Sequence, residues 1–342
     1  MGAAAGALRR RAVSAGAKPD ARPAHAGLVV PDLTDDPDGI SAIDTHYLRA
    51  RLDASHLIVH RGRAAFVDTG TALAVPHLLA ALAAKGIARD AVDWVLLTHI
   101  HLDHAGGAGA LLEWLPNARV AVHPRGAAHI ADPARLIGAT RKVYGDAAYE
   151  RLYGEIRPIA VARLVVTEDG ARHALAGRRL EFLHTPGHAL HHQAIVDPEA
   201  GAVFAGDTFG VSYRDFDVNG REFILPATTP SQFDPNQLHA SIDRVVALAP
   251  RAVFLTHYSR VVDIARLGAD LHAGVRSYVA LARRYQHDPA RAARLNEELF
   301  RWHSEGLDRH GYAGTPATRH ALLDEDIALN VQGLLAWLDR SG

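Results

Sequence analysis

The hydrophobic pattern changes character twice along the 342-residue chain. Up to about residue 27 it is Ala-, Gly- and Arg-rich, has no acid before Asp20 and shows no apolar period. From residue 28 to about 260, apolar residues fall in short runs of strand length, interrupted by turn residues and a few helical stretches. Beyond 261 they recur at helical spacing. The expected organisation is a tail without fixed structure over 1–27, an α/β catalytic domain over 28–260 and a helical extension over 261–342. Arg9, Arg10 and Arg11 lack a following apolar segment, so a secretory signal is not expected, although the acid-poor composition also resembles an organelle transit peptide.

Within the middle region, Tyr47 to Leu52 and His56 to His60 are short strand-like apolar runs. Arg61-Gly62-Arg63 reads as a hairpin turn into Ala64 to Val67. Ala74 to Lys85 reads as a helix with Leu78, Leu79 and Leu82 on one face, stopped by Gly86. Trp94 to Leu97 and Asn117 to His123 are buried strands, the second ended by Pro124. Residues 125–160 read as helix and loop, and their tyrosines (Tyr144, Tyr149, Tyr153) either pack or line a channel. Val161 to Thr167 and Arg179 to Leu183 read as two strands of a second β-layer with a hairpin between them. Gln193 to Val196 and Ala202 to Ala205 form another hairpin.

Residues 208–236 are irregular, and a long structureless segment in a compact domain is usually functional. It reads as a wall or lid of a substrate pocket, with Tyr213, Arg214 and Phe223 as candidate contacts. A helix from Phe233-Asp234-Pro235 to Leu248 and a strand over Ala252 to Thr256, the last before His257, follow. Val262 to Tyr285, Pro289 to His310 and Pro316 to Leu338 are amphipathic helices, expected to cover the site, build a homodimer interface, or both.

Composition narrows the chemistry. A net charge of −1 gives no basic field for nucleic acid. No apolar run has membrane-spanning length, so a cytoplasmic protein acting on a small molecule is expected. The chain has no cysteine. A metal would therefore be held by His and carboxylate, which favours zinc, iron or manganese.

The stretch Thr98-His99-Ile100-His101-Leu102-Asp103-His104 supplies such donors. His99, His101 and Asp103 alternate, which in an extended segment places them on one side. The preceding strand and the following Gly106-Gly107-Ala108-Gly109, which leads into a helical Ala110 to Leu115, put the cluster at the top of a β-strand, where open α/β sheets carry their sites. His46, His56 and His60 carry no assigned role, and His123 reads as a surface or supporting residue.

This HxHxDH run resembles that of the metallo-β-lactamase-fold hydrolases. Further matches in the family's order are Asp68 in Asp-Thr-Gly, His188 in Thr-Pro-Gly-His, Asp207 in Gly-Asp-Thr and His257 in Leu-Thr-His. The Gly-Gly-Ala-Gly run and Leu225-Pro226-Ala227-Thr228 look most like a glyoxalase-II-like branch with a helical C-terminal extension. The resemblance implies a four-layer αββα sandwich with the site at one edge. It also implies two divalent metal ions, zinc first, with iron or manganese as alternatives. His99, His101 and His188 would hold one, Asp103, His104 and His257 the other, and Asp207 would bridge them. Asp68 would support the metal loop.

The implied chemistry is hydrolysis of a carboxylic ester, thioester or lactone by a metal-bound hydroxide. Asp103 would be ligand and catalytic orienter, and Tyr258 a candidate oxyanion donor. His191 or His192 would orient a ligand from outside. The absence of cysteine and of a G-x-S-x-G elbow agrees with direct attack. Two other readings remain open. One is a mononuclear iron oxidoreductase of the persulfide dioxygenase kind, and the other is a metal-free binding protein, against which the complete ligand set argues. The flavin-linked di-iron branch carries an acid where His101 stands.

Overall fold

A computed structural model of the protein describes residues 29–228 and 232–341. The tail expected over 1–27 lies outside the described residues. Two β-sheets face each other. The first has seven strands in sequence order: β1 (Leu33–Asp36), β2 (Ile40–Asp44), β3 (Ala54–His60), β4 (Arg63–Val67), β5 (Val92–Leu96), β6 (Arg119–Val122) and β7 (Leu164–Val166). The second holds β8 (Arg172–Leu175), β9 (Arg178–His184), β10 (Gln193–Asp197), β11 (Ala202–Gly206), β12 (Ala252–Leu255) and β13 (Ser259–Val261), in the order β13-β12-β11-β10-β9-β8.

The helices are α1 (Val75–Ala84), α2 (Leu102–Ala105), α3 (Ala108–Leu112), α4 (Pro124–Ala131), α5 (Ala134–Tyr144), α6 (Asp146–Tyr153), α7 (Pro235–Ala247), α8 (Ile264–Arg284), α9 (Arg291–His310) and α10 (Pro316–Ser341). The layers follow from which side chains share a core. Ile58, Val67 and Leu96 of the first sheet meet Phe182, Ile195, Phe204 and Phe254 of the second. Leu78 and Leu82 of α1 and Leu111 of α3 cover the outer side of the first sheet through Leu57, Phe66 and Val95. On the far side, Val203, Ala205, Val253 and Leu255 meet α7 together with Leu271, Leu295, Leu299 and Leu334 of the C-terminal helices. This is the expected αββα sandwich, and α8 to α10 share one continuous core with α7 and the second sheet.

Two local readings are corrected. Leu164–Val166 belongs to the first sheet, pairing parallel with β6. Arg163 anchors the approach by donating to Ala118 O at 2.7 Å and Leu115 O at 2.6 Å. The hairpin of the second sheet is β8–β9, turned by Ala176 and Gly177 at φ 50° and 97°. A two-residue turn with both φ values positive matches the strand twist.

Tyr47 to Leu52 is a loop, not a strand. The Asp44 carboxylate accepts the His46 and Arg51 N–H groups at 2.9 Å each and folds the segment back on itself. Ala252–Leu255 is the last strand before His257, as expected, and β13 pairs antiparallel with it afterwards.

The C-terminal helices contain a pH-sensitive group. His303 is buried, its Nε2 lies 2.5 Å from the Tyr278 hydroxyl, and burial pushes its pKa down to about 3. The unfolded chain takes up this proton near pH 6.5, whereas the folded chain does not until about pH 3. Stability contributed by the neutral ring is full above pH 6.5 and is lost as pH falls toward 3, at up to about 1.4 kcal/mol per pH unit. Urea unfolding at pH 7 and pH 5 should show a larger acid loss in the wild type than in His303→Gln. Equal losses would remove His303 as the cause.

Candidate metal centre

The loops at one end of both sheets deliver the donors. After β5 the chain bends at Thr98, runs to His101, whose backbone is extended, and enters α2, so Asp103 and His104 sit on a first helical turn and not on an alternating strand. His188 follows Gly187, which has φ 126° and lies so close to α7 that a Cβ would stand 2.2 Å from Leu238 N. Asp207 follows Gly206 at φ 47°, where a Cβ would meet His192 Nε2 and Thr98 Oγ at 2.7 Å. Only glycine fits at either place. His257 follows β12.

The seven sequence-predicted donors converge. His99 Nε2 lies 2.7 Å from His101 Nδ1, which is 3.3 Å from His188 Nε2. Three groups of donor atoms each fit within 4.8 Å: His99, His101 and His188; His99, His104 and Asp207; and Asp103, His104 and His257. Asp207 faces both sides, with Oδ2 3.3 Å from His188 Nε2 and Oδ1 3.4 Å from His104 Nε2 and 3.7 Å from His257 Nε2.

Outer hydrogen bonds set which ring nitrogen faces inward. His104 Nδ1 donates to Asp68 at 3.0 Å, His188 Nδ1 to Ala227 O at 3.2 Å and His257 Nδ1 to Leu52 O at 3.0 Å. The Thr98 hydroxyl gives its proton to Asp68 at 2.7 Å, so its oxygen accepts from His99 Nδ1 at 3.2 Å. All four rings therefore turn Nε2 to the centre, as ligating histidines do. His192 plays the outer role expected of it or His191. Its Nε2 accepts the Asp207 N–H at 3.2 Å, and its Nδ1 meets the Thr185 hydroxyl at 2.8 Å.

The charge balance asks for a cation. Burial, reinforced by neighbouring histidines, holds His99 and His101 well below the usual imidazole range. Burial also opposes charge on His104 and His257, but the carboxylates outweigh it and both are raised. Burial alone would raise Asp207, yet His104, His257 and His188 hold it well below the usual carboxylate range. Two inward atoms, His104 Nε2 and Asp207 Oδ1, are buried without a hydrogen-bond partner. Such groups are costly unless something binds them, so the donor set fits divalent metal.

The donors form one end of a cavity of about 470 Å³, in the range that takes a drug-sized molecule. His101, Asp103, His188, Asp207 and His257 face it. Of the expected substrate contacts, Tyr213 lines it. Arg214 does not, because its guanidinium is turned to Ser212 O at 2.7 Å and Asp217 at 3.3 Å. Phe223 packs against Phe216 and His310 instead, and Tyr258 is buried in the core with Val261 and Ile264. Tyr47, Tyr144 and Tyr153 line the cavity while Tyr149 only packs. The C-terminal helices, expected to cover the site, do so through α10. The sequence did not show which of its residues face the cavity, since a helical period shows which face is apolar but not what it faces.

Residues 51–257 match the family model described as the metallo-beta-lactamase superfamily. The chain belongs to the metallo-β-lactamase superfamily. The matched stretch ends on His257, so all seven donors lie inside it and the α10 wall lies outside. A hydroxyacylglutathione hydrolase from Acidiphilium cryptum is 30% identical over 250 residues, 71% of this chain and 81% of its own. A metallo-beta-lactamase fold-containing protein from Sulfurisphaera tokodaii is 29% identical over 172 residues, and the match spans 61% of that relative's length and 49% of this chain. A metallo-beta-lactamase family protein from Thermus thermophilus shares the superfamily fold with a TM-score of 0.59, at 22% identity, over 92% of this chain and 93% of that one. No described helix is long and apolar enough to cross a membrane.

Proposed function

We propose that this protein is a metal-dependent hydrolase acting on a carboxylic ester, thioester or lactone with two divalent cations, zinc first, iron or manganese as alternatives. The observation that carries the reading is the Asp207 carboxylate, one oxygen turned to His188 and the other to His104 and His257. His99, His101 and His188 would hold one cation, Asp103, His104 and His257 the other, and Asp207 would span them. Divalent metal, when bound, polarises a carbonyl and lowers the pKa of water to about 7.

The chain's own residues supply the rest. Neutral His99 and His101 offer lone pairs without a proton to displace. Asp103, with a side chain 20% exposed at the cavity face, orients the attacking water by accepting its hydrogen bond. Direct attack agrees with the absence of cysteine and of a G-x-S-x-G elbow.

The test is elemental mass spectrometry on protein purified without added metal or chelator, paired with thioester and lactone assays. Two metal ions per chain are expected, with hydrolysis lost on chelation and restored by zinc. One iron per chain with oxygen consumption on persulfides would replace this reading with the mononuclear oxidoreductase.

A further inference from the structure

We infer that the acyl part of the substrate is apolar and uncharged, and that it lies in the arm of the cavity between α5 and α10. The inference rests on the hydrolase reading for the bond cleaved, but on the cavity alone for what binds. Beyond the donors, the apolar part of the lining is Leu136 and Val143 of α5, Leu322 and Leu329 of α10, Leu52 and Val211. Thr140, Tyr144 and Tyr153 lie beside them. The arm is preformed. Thr228, on the irregular segment after Asp207, gives its N–H to Asn330 Oδ1 at 2.7 Å, and its hydroxyl reaches Asn330 O at 3.0 Å. That clamp fixes α10 against the segment that carries a metal donor.

The charges on this wall are acidic. Glu325 and Asp326 of α10 both line the cavity. Asp326 rests against the Tyr213 hydroxyl, and burial raises its pKa to about 6. Two arginines line the cavity, and the charge of Arg49 already acts on Glu325 and Asp326, which leaves it engaged and not free for an incoming anion. Arg49 is engaged by Asp215 at 3.2 Å and lies over the Tyr213 ring at 4.6 Å, and Arg135 is an exposed residue of α5. An acyl chain ending in a carboxylate would lose hydration inside an apolar arm and face two carboxyl groups there. A methylene chain gains about fourfold in binding for each group buried.

The test uses the full metal-loaded chain and three p-nitrophenyl esters: the acetate, the hexanoate and the adipate monoester, which matches the hexanoate in length but ends in a carboxylate. The expected kcat/KM for hexanoate exceeds that for acetate and for adipate by about tenfold or more each. Glu325→Gln with Asp326→Asn should raise adipate turnover selectively. Glu325→Gln alone, at an exposed position, should do so in part if the double variant folds poorly. Calorimetry with N-butylhexanamide and its ω-carboxylate analogue reads the cavity without cleavage. Tighter binding of the neutral amide supports the assignment. Equal or tighter binding of the carboxylate, or no binding of either, overturns it. A neutral amide that binds while no ester is cleaved would keep the cavity assignment and discard the hydrolase reading.

Discussion

Asp207→Ala is expected to abolish turnover and lower metal content together. The two carboxylate oxygens of Asp207 reach toward both donor groups, at 3.3 Å from His188 and 3.4 Å from His104. Alanine removes both oxygens, and it leaves His104 and His257 without the carboxylate that most favours their charge. Divalent metal contributes several kcal/mol of transition-state stabilisation. Losing about 4 kcal/mol is roughly a thousandfold in rate. Elemental analysis and kcat/KM on the same preparation check this. A variant with full metal content and ordinary turnover would sink the two-cation arrangement.

The second large effect is expected at a residue that touches no metal. The Asp68 carboxylate accepts the Thr98 N–H at 2.8 Å, the Thr98 hydroxyl at 2.7 Å, the Thr256 hydroxyl at 3.0 Å and His104 Nδ1 at 3.0 Å. Thr98 follows a strand of the first sheet and Thr256 a strand of the second, so one buried carboxylate holds the two layers in register at the site. Asp68→Ala leaves those donors without an acceptor. Removing one partner of such a buried charged network costs about 3–5 kcal/mol, and losing an outer ligand contact weakens metal about 10–100-fold. Urea unfolding and a metal titration with a competing chelator read the two effects separately. A loss below about 1 kcal/mol with unchanged affinity would show that Thr98 and His104 find other partners.

The sequence was most legible where chemistry is local. Four donors fall within six residues, and His188, Asp207 and His257 follow short strands or a tight turn whose glycines and flanking apolar residues mark them. Topology was harder. A three-residue run such as Leu164–Val166 carries no sign of which sheet it joins, and Arg163, which anchors it, looks like any surface arginine. Tyr47 and Leu52 look like strand residues because they are apolar, yet they serve the cavity, in a fold set by Asp44. Arg214, Phe223 and Tyr258 were plausible contacts because they neighbour the site in sequence. Their side chains turn instead to backbone oxygen, an aromatic cluster and the core. The α10 wall belongs to tertiary packing alone.

The order of these parts along the chain has a consequence for damaged copies. A chain ending shortly after His257 would still carry all seven candidate donors. It would keep α7 but lose α8 to α10, baring the part of that core where Val203, Val253 and Leu255 share contacts with Leu271 and Leu334. Large bare apolar patches make proteins stick. A late stop codon in the gene would thus yield a chain that keeps the donor set, loses the α10 wall of its cavity and exposes a sticky core.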